Sequence, residues 1–551
     1  MKRERFDALA IRTARSLALA LAVGLMVGST TSARADLLQN GDFNLDVDGL
    51  PGPDFWTNWT YGDTAFAAYK TDPANDAFDF DGSAYVNAGN WGDWWTSGGG
   101  WFQTVAGTEG VPYTIGAMSA SEDWDNAAGE LRIIYFDAGG VELARDVRHT
   151  ASYQASMPWT PFTHTSVAPV GTTSVKAELA TWGARGAVLW DNVSLETASV
   201  WNIDAGGDFA TTSNWVGNAP TGVDAAARFL GAITDDRTIL ADSAVTLGSI
   251  SFANAKSYTL AGAGSLRLEK SAGLALIEAQ SGTQVIDVPL TVASDAYFVA
   301  SSGATLRLSK PLTVASGKSL KPAGPGTISY ESAITLESDA KITFANSAHA
   351  TALTLGTGAR ATIQAHGAGA ARELTVDGLT LASGAVLDVA DNSLVVAYNG
   401  GSPAAQINGY LASARNGGTW DGPGIGSSIA IPSDQSLAYR DTSTSVVVGV
   451  ALKGDINFSN AVDFDDLLRL AQNYGGSGKT WASGDSDYNL VVDFDDLLAL
   501  AQNYGRTTVP GAARLPLDFA ADWALAQQLV PEPALLSMLG MGLALRRARR
   551  P

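Results

Sequence analysis

Two stretches towards the C-terminal end carry the densest oxygen chemistry in the sequence. Residues 454–475 and 484–505 are copies of one unit of 22 residues set 30 positions apart, identical at 15 of them. Counted from the first Asp of each copy, oxygen-bearing side chains fall at positions 1, 3, 5, 9 and 12. These are Asp455, Asn457, Ser459, Asp463 and Asp466, then Asp485, Asp487, Asn489, Asp493 and Asp496. A hard cation such as Ca²⁺ takes roughly six to eight oxygens, which a tight loop supplies from alternate side chains, one main-chain carbonyl and a closing carboxylate. Leu467, Leu470 and Ala471 follow at helical spacing, with Gly475 as a stop. The ligands therefore stand at a helix entry, where free N–H groups favour acidic side chains. Position 6, which calls for Gly, is Asn460 and then Leu490. Asn tolerates a left-handed backbone and Leu does not, and Ser459 is a poorer ligand than a carboxylate, so sites weaker than a standard loop are expected. The alternative is a pair of acidic helix caps without metal.

A second pattern is aromatic. Trp91, Trp94, Trp95 and Trp101 put four indoles within eleven residues, beside Asp93, with Trp124 further on. An indole offers a flat apolar face and a polar edge, suited to stacking on sugar C–H groups while carboxylates and amides bind hydroxyls. The alternative is a β-core. Trp94 and Trp95, adjacent on a strand, must point to opposite faces, so one of them is a core residue.

The elements that must position these residues are β-strands. Of the fifteen Trp, ten lie between Asp36 and Thr197, among Gly, Asp and Asn turn signals, and runs such as Leu131–Phe136 and Ala187–Leu195 alternate. From residue 200 Trp becomes rare. Apolar pairs two apart recur between small turn residues: Val245/Leu247, Ile250/Phe252, Tyr258/Leu260, Leu266/Leu268, then Ile342/Phe344, Leu374/Val376, Leu379/Leu381, Leu387/Val389 and Leu394/Val396. Strands this short must stack on neighbours to bury a face. The fold class is mostly β: a jelly-roll β-sandwich over 36–199, a β-solenoid over 200–446 with a second β-sandwich as the alternative, and a small all-α unit with paired calcium loops over 447–506. A linker and short amphipathic helix occupy 507–529.

Composition excludes several classes. The chain has 35 Lys+Arg against 56 Asp+Glu, a net charge of −21, which argues against nucleic-acid binding. Without Cys there are no disulfides, zinc–thiolate sites or thiol nucleophiles, and none of the four His forms a metal-binding spacing. No nucleophile elbow or phosphate loop occurs.

Both ends read as addresses. Five cations precede an apolar run, Ser16 to Gly28, and Ala33-Arg34-Ala35 is a small-residue cleavage site, so residues 1–35 are expected to be a signal peptide removed after Ala35. Residues 530–551 hold Pro531-Glu532-Pro533, a short apolar stretch and four arginines. This order resembles the PEP-CTERM sorting signal of Gram-negative bacteria, which implies export across the inner membrane, recognition by signal peptidase and an exosortase, and a cell-surface, outer-membrane-associated or matrix location.

Three further resemblances carry expectations. The paired loops resemble a type I dockerin, implying calcium-dependent folding and a cohesin-like partner. The docking positions would then be Phe464, Asp465, Phe494 and Asp495, where dockerins often have small hydroxyl residues; packing between helices is the alternative for the two Phe. The phrases Leu37–Asn44 and Leu189–Glu196 resemble the first and last strands of galactose-binding-like carbohydrate-binding modules, implying Asp42 and Asp191 as ligands of a structural calcium. Trp201 through Trp215 to Pro220 resembles autotransporter-associated β-repeats, and Leu394–Gly424 resembles a phrase that precedes dockerin-like repeats in PEP-CTERM proteins. The leading expectation is a non-catalytic exported surface protein that binds glycan or polysaccharide and assembles through calcium loops. The alternatives are a secreted glycoside hydrolase or polysaccharide lyase, or its accessory subunit, and a structural stalk without ligand.

Overall fold

The computed structural model describes residues 36–529 apart from 40, 42, 44–54, 62–65, 71–82, 88–97, 123–126, 152–156, 184–186, 368, 509–514 and 516. The expected signal peptide, Ala35 and the Pro531-Glu532-Pro533 motif lie outside the described residues, as do Asp42, Trp91, Asp93, Trp94, Trp95 and Trp124.

The first domain is the expected sandwich, two five-stranded antiparallel sheets. One has the order Thr57–Tyr61, Gly98–Ala106, Ser174–Gly183, Ala127–Phe136, Glu142–Ala151. The other runs Phe66–Lys70, Ser83–Asn87, Ala187–Thr197, Pro112–Glu122, Met157–Val167. Alternation decides which residues meet. Leu131, Ile133, Val175 and Leu179 point into the core against Ile115, Trp190 and Leu195, which leaves Glu130, Arg132 and Glu178 on the outer face of the first sheet. The entering chain lies along the last strand: Leu37 N–H donates to Leu195 O at 2.9 Å and Val193 N–H to Gly41 O at 2.7 Å. The adjacency of first and last segments is thus as expected.

The second domain is a parallel β-helix. Its longest sheet stacks Ala226–Phe229, Ser249–Ala253, Ala275–Ser281, Ala296–Ala300, Ser319–Ala323, Lys341–Phe344, Arg360–Ile363 and Val386–Asp388 in chain order, one strand per turn. Two further sheets complete each turn. In one of them Leu290, Leu312, Ile334, Leu353 and Leu379 stand in one register column. The apolar pairs read from sequence are the inward rows of these sheets. Parallel pairing throughout the rungs excludes the second sandwich. The entrance is closed by a ring cluster, with Trp215 at 5.2 Å from Trp201, 5.0 Å from Phe209 and 5.4 Å from Phe229. The exit is closed by helix Ala404–Arg415 and the antiparallel strands Gln435–Asp441 and Ser445–Leu452, so the solenoid continues past residue 446. Capping both ends removes the exposed apolar rows and edges a solenoid would otherwise present.

The helical unit contains helices Phe464–Asn473, Phe494–Asn503 and Phe519–Leu529 around Leu467, Leu470, Val492 and Leu500. It seats on the solenoid exit through Tyr488, whose hydroxyl donates to Leu437 O at 3.0 Å and whose ring lies 6.1 Å from Trp481 and 5.8 Å from Trp420. At the other end, the second jelly-roll sheet docks on the longest solenoid sheet, Met118 against Leu276, Tyr297 and Val299. Glu278, fully buried there, holds Arg148 at 2.6 Å and accepts from the Thr163 hydroxyl at 2.5 Å.

Candidate functional site

The two acidic loops adopt one backbone. In both, positions 4 and 6 are left-handed: Phe458 (φ 57°) and Asn460 (φ 72°), Tyr488 (φ 58°) and Leu490 (φ 71°). Leu490 thus occupies the conformation its side chain resists, and it remains 49% exposed, so little packing offsets the strain. Position 1 organises the turn. Asp455 accepts from Ser459 N–H and Asn460 N–H at 2.8 and 2.9 Å, and Asp485 from Asn489 N–H and Leu490 N–H at 3.1 and 2.9 Å.

Position 12 clasps the loop to its helix. Asp466 accepts from Ile456, Asn457 and Asp463 N–H, and Asp496 from Ser486 and Asp493 N–H. Asp463 and Asp493 complete a capping box at each helix start, accepting from the N–H of Asp465 and Asp495. Position 5 is spent within the loops: the Ser459 hydroxyl donates to Ala461 O at 3.2 Å, and Asn489 Oδ1 accepts from Val491 N–H at 2.7 Å.

The structure brings Asp485, Asp487 and Asp496 together, with one carboxylate oxygen from each within 4.8 Å of the other two. Burial pushes the Asp485 and Asp496 carboxyls up from their ordinary values, with neighbouring carboxylates adding to it. In the first loop the same burial pushes Asp466 up to about 7 and raises Asp455. There the position-3 oxygen, Asn457 Oδ1, is buried without a hydrogen-bond partner among the described residues. Buried carboxylates crowded at hydrogen-bonded positions, and a buried amide oxygen without a partner among the described residues, suit a hard divalent cation. Asp455, Asn457 and Asp466 would hold it in one loop, and Asp485, Asp487 and Asp496 in the other.

The two copies diverge on their outer faces. Phe464 packs half-buried in the cluster that also takes Phe519 and Trp523 of the last helix, whereas Phe494 is 63% exposed and Leu498 is exposed beside it. Helix packing therefore accounts for Phe464 alone. Asp465 and Asp495 are both exposed at the helix starts.

On the jelly roll, Trp101 is a correction. It is buried at 1% exposure between the sheets, because its strand register turns it inward opposite Leu179, and it offers no surface to a glycan. Asp191 is fully buried at a bulge before Ser194, where its carboxylate accepts from Asn192 N–H at 2.7 Å.

The outer face of the first sheet carries an aromatic and ionic group that sequence reading missed. Trp59 sits opposite Gly100 and Trp182 opposite Gly98 across neighbouring strands. A side chain at Gly98 would collide with the Trp182 ring, and one at Gly100 with the Trp59 indole nitrogen, so the glycines are the bed on which the indoles lie. The rings are 5.4 Å apart, and the Arg132 guanidinium lies 5.9 Å from one and 5.4 Å from the other. Arg132 is held by Glu130 and Glu178, each at 2.7 Å, and Lys176 meets Glu178 at 2.8 Å. The Trp59 N–H is buried without a partner among the described residues. The available signal was Gly98-Gly99-Gly100, three consecutive residues without side chains in an alternating strand.

Neither a protein-family profile nor a curated protein matches the sequence. Among solved structures, the chain is similar over 30% of its length to a family 61 carbohydrate-binding module in complex with β-1,4-galactotriose, covering 99% of it at 15% identity and a TM-score of 0.21. A second, a Clostridium thermocellum xylanase with family 22 binding and family 10 catalytic modules, complexed with xylohexaose, matches over 28% of this chain and 31% of that one (14% identity, TM-score 0.20). A third is a family 22 xylan-binding domain from Paenibacillus barcinonensis, over 30% of this chain and 97% of that domain (12% identity, TM-score 0.19).

Proposed function

We propose that this chain is an exported, non-catalytic surface or matrix protein. It binds glycan on the outer face of the first jelly-roll sheet and assembles through two calcium loops. The observation that carries the glycan reading is the Trp59–Trp182 pair, tilted 50° to each other over a glycine bed and flanked by Arg132, Glu130 and Glu178. Indole faces supply a sugar with apolar contact, and the buried ion cluster of Arg132 and Glu178 beneath them fixes the rings in place. Glu130 and Glu178 are both committed to Arg132, which suits binding rather than proton transfer. Calcium at the loops would pair the crowded carboxylates and rigidify the helical unit, whose exposed second copy is the face open to a cohesin-like partner. Export, processing and anchoring by the terminal signals complete this reading.

Affinity electrophoresis of the full chain through a panel of soluble polysaccharides tests it. At least one polysaccharide retards the wild type, and Trp182→Ala reduces that retardation about tenfold with the fold intact. A Trp182→Ala protein that binds like the wild type would remove this face from the function. Reducing-end release by the wild type from the same panel would replace the binding reading with a polysaccharide-degrading enzyme.

A further inference from the structure

A cavity of about 370 Å³ lies in the seam between the second jelly-roll sheet and the first solenoid turns. Five charged residues line it: Asp36 and Glu196 from the jelly roll, and Asp224, Arg228 and Lys270 from the solenoid. Glu196 pairs with Lys270 across the seam. Asp224 accepts from Ser271 N–H at 2.9 Å and its hydroxyl at 2.5 Å. Arg228 is 1% exposed, and among the described residues its donors reach only neutral oxygens: the Thr114 and Ser249 hydroxyls and the carbonyls of Ala227 and Ser249. Three carboxylates thus face two cations, one negative charge in excess. A charge imbalance among groups as buried as Glu196, Asp224 and Arg228 is costly unless a counter-charge reaches it.

The residue that supplies the counter-charge is already in place. Asp36 is exposed, yet its carboxylate turns in to accept from Leu38 N–H and Leu195 N–H, both at 2.9 Å, one residue from Glu196. By covalent geometry the Asp36 nitrogen lies within about 4 Å of that carboxylate. The same residue follows Ala33-Arg34-Ala35, the small-residue site read from the sequence.

We propose that this seam is a binding site for the chain's own α-ammonium, freed by cleavage before Asp36. The inference rests on the signal-peptide reading and is independent of glycan binding. Hydrolysis breaks the Ala35–Asp36 peptide bond. Water gives its hydroxyl to the Ala35 carbonyl carbon, and the Asp36 nitrogen gains a proton from that water and another from solvent. A neutral amide becomes a cation on the cavity that Asp36, Glu196 and Asp224 line, and the summed charge of its lining falls to zero. The entering segment, already paired with the last strand, is then pinned at the seam between the two domains. Burial together with Glu196 pushes the Asp36 carboxyl up to about 6 while that cation is absent, in keeping with the imbalance.

The test is an α-amine titration on the exported, processed chain. N-terminal sequencing should give Asp36, and NMR of the ¹³C-dimethylated α-amine should show it titrating about one unit above the ordinary value of about 7.7–8.0. Asp224→Asn should lower it. Gly-Ser inserted ahead of Asp36, which leaves every cavity residue in place, should return it to the ordinary value. A different N-terminus, or an α-amine that titrates normally and ignores both changes, overturns the proposal.

Discussion

Replacing Asp496 by Asn separates a metal site from a helix cap, because the two roles predict different dependence on calcium. Asp496 is fully buried and accepts from Ser486 N–H at 2.8 Å, the Ser486 hydroxyl at 3.0 Å and Asp493 N–H at 3.1 Å. An amide keeps one acceptor, and losing the charge-assisted remainder costs about 2 kcal/mol. Against this, one carboxylate oxygen from each of Asp485, Asp487 and Asp496 lies within 4.8 Å of the other two. At an effective dielectric constant of about 20, two full charges at that spacing repel by about 3 kcal/mol, less where burial keeps a proton on one of them. In a chelator the relief of repulsion from both neighbours at least offsets the lost hydrogen bonds, and Asp496→Asn should not lower the melting point of the helical unit. With calcium the balance reverses. A cation at 100 times its Kd adds about 2.7 kcal/mol, and a site weakened about a hundredfold by loss of one ligand charge retains under about 0.5 kcal/mol. For a unit this small that difference is on the order of 10 °C. Scanning calorimetry of the full chain, wild type and Asp496→Asn, in millimolar calcium and in chelator, reads all four states. An equal loss in both buffers would show that Asp496 only caps its helix, and the calcium reading would fail.

Three other outcomes follow from the same geometry. Leu490→Gly relieves a left-handed backbone at a half-exposed position, so it should raise the stability of the helical unit by about 1 kcal/mol in chelator, whereas Asn460→Gly should change it little; a destabilised Leu490→Gly protein would show that side chain to be a packing residue. Glu278→Ala removes the carboxylate that pairs the Arg148 charge in the seam, while the Thr163 hydroxyl keeps Ser251 at 3.1 Å, and should cost about 3 kcal/mol, with the jelly roll melting in its own calorimetric transition ahead of the solenoid; an unchanged thermogram would refute a docked seam. Burial holds the His164 pKa below its ordinary value, against the opposing pull of Asp146 3.1 Å away. The unfolded chain then binds the proton better, so this contribution is complete above about pH 6.5 and is lost as the pH falls. His164→Gln should flatten the fall in melting temperature between about pH 7 and pH 5, and an unaltered slope would assign that fall to other groups.

The period-two apolar pairs were sufficient for the solenoid because each pair is a complete statement about one rung: Ile250 and Phe252 turn inward whatever lies beside them. The turns of the two acidic loops were legible for a related reason. All of their partners lie within twelve residues, and a local spacing encodes the whole turn. The aromatic face was not legible, since Trp59 and Trp182 meet only through the register of strands far apart in sequence, each paired with Gly98–Ala106. Density of indoles drew attention to residues 91–101 instead, and Trp101 was assigned by proximity when its parity in the strand sends it inward. The seam charges escaped for the same reason as the indoles. Nothing local to Glu278 announces that a solenoid face, ordinarily solvated, is buried under a second domain.

The placement of the second loop would give a bound calcium a role beyond its own unit. Position 4 of that loop is Tyr488, buried where the solenoid ends, with its hydroxyl on Leu437 O and its ring beside Trp420 and Trp481. Trp481 in turn donates its indole N–H to Asp455 O at 3.2 Å, so the first position of the first loop is tied to the same cluster. Asn503, at the end of the second helix, donates to Asp434 O and Lys453 O, both at 2.9 Å, and Arg506 pairs with Asp434 at 2.6 Å. A parallel β-helix is stable only as far as its last covered rung, because an open rung exposes both apolar rows and unpaired strand edges. The helical unit is therefore the outer layer of the solenoid's cap, and ordering its loops orders the surface against which the final strands rest. Loss of calcium should loosen the exit strands Gln435–Asp441 and Ser445–Leu452 before the central rungs, a gradient that hydrogen exchange resolves strand by strand. Protection that falls evenly along the solenoid, or stays unchanged, would show that the cap stands without the metal.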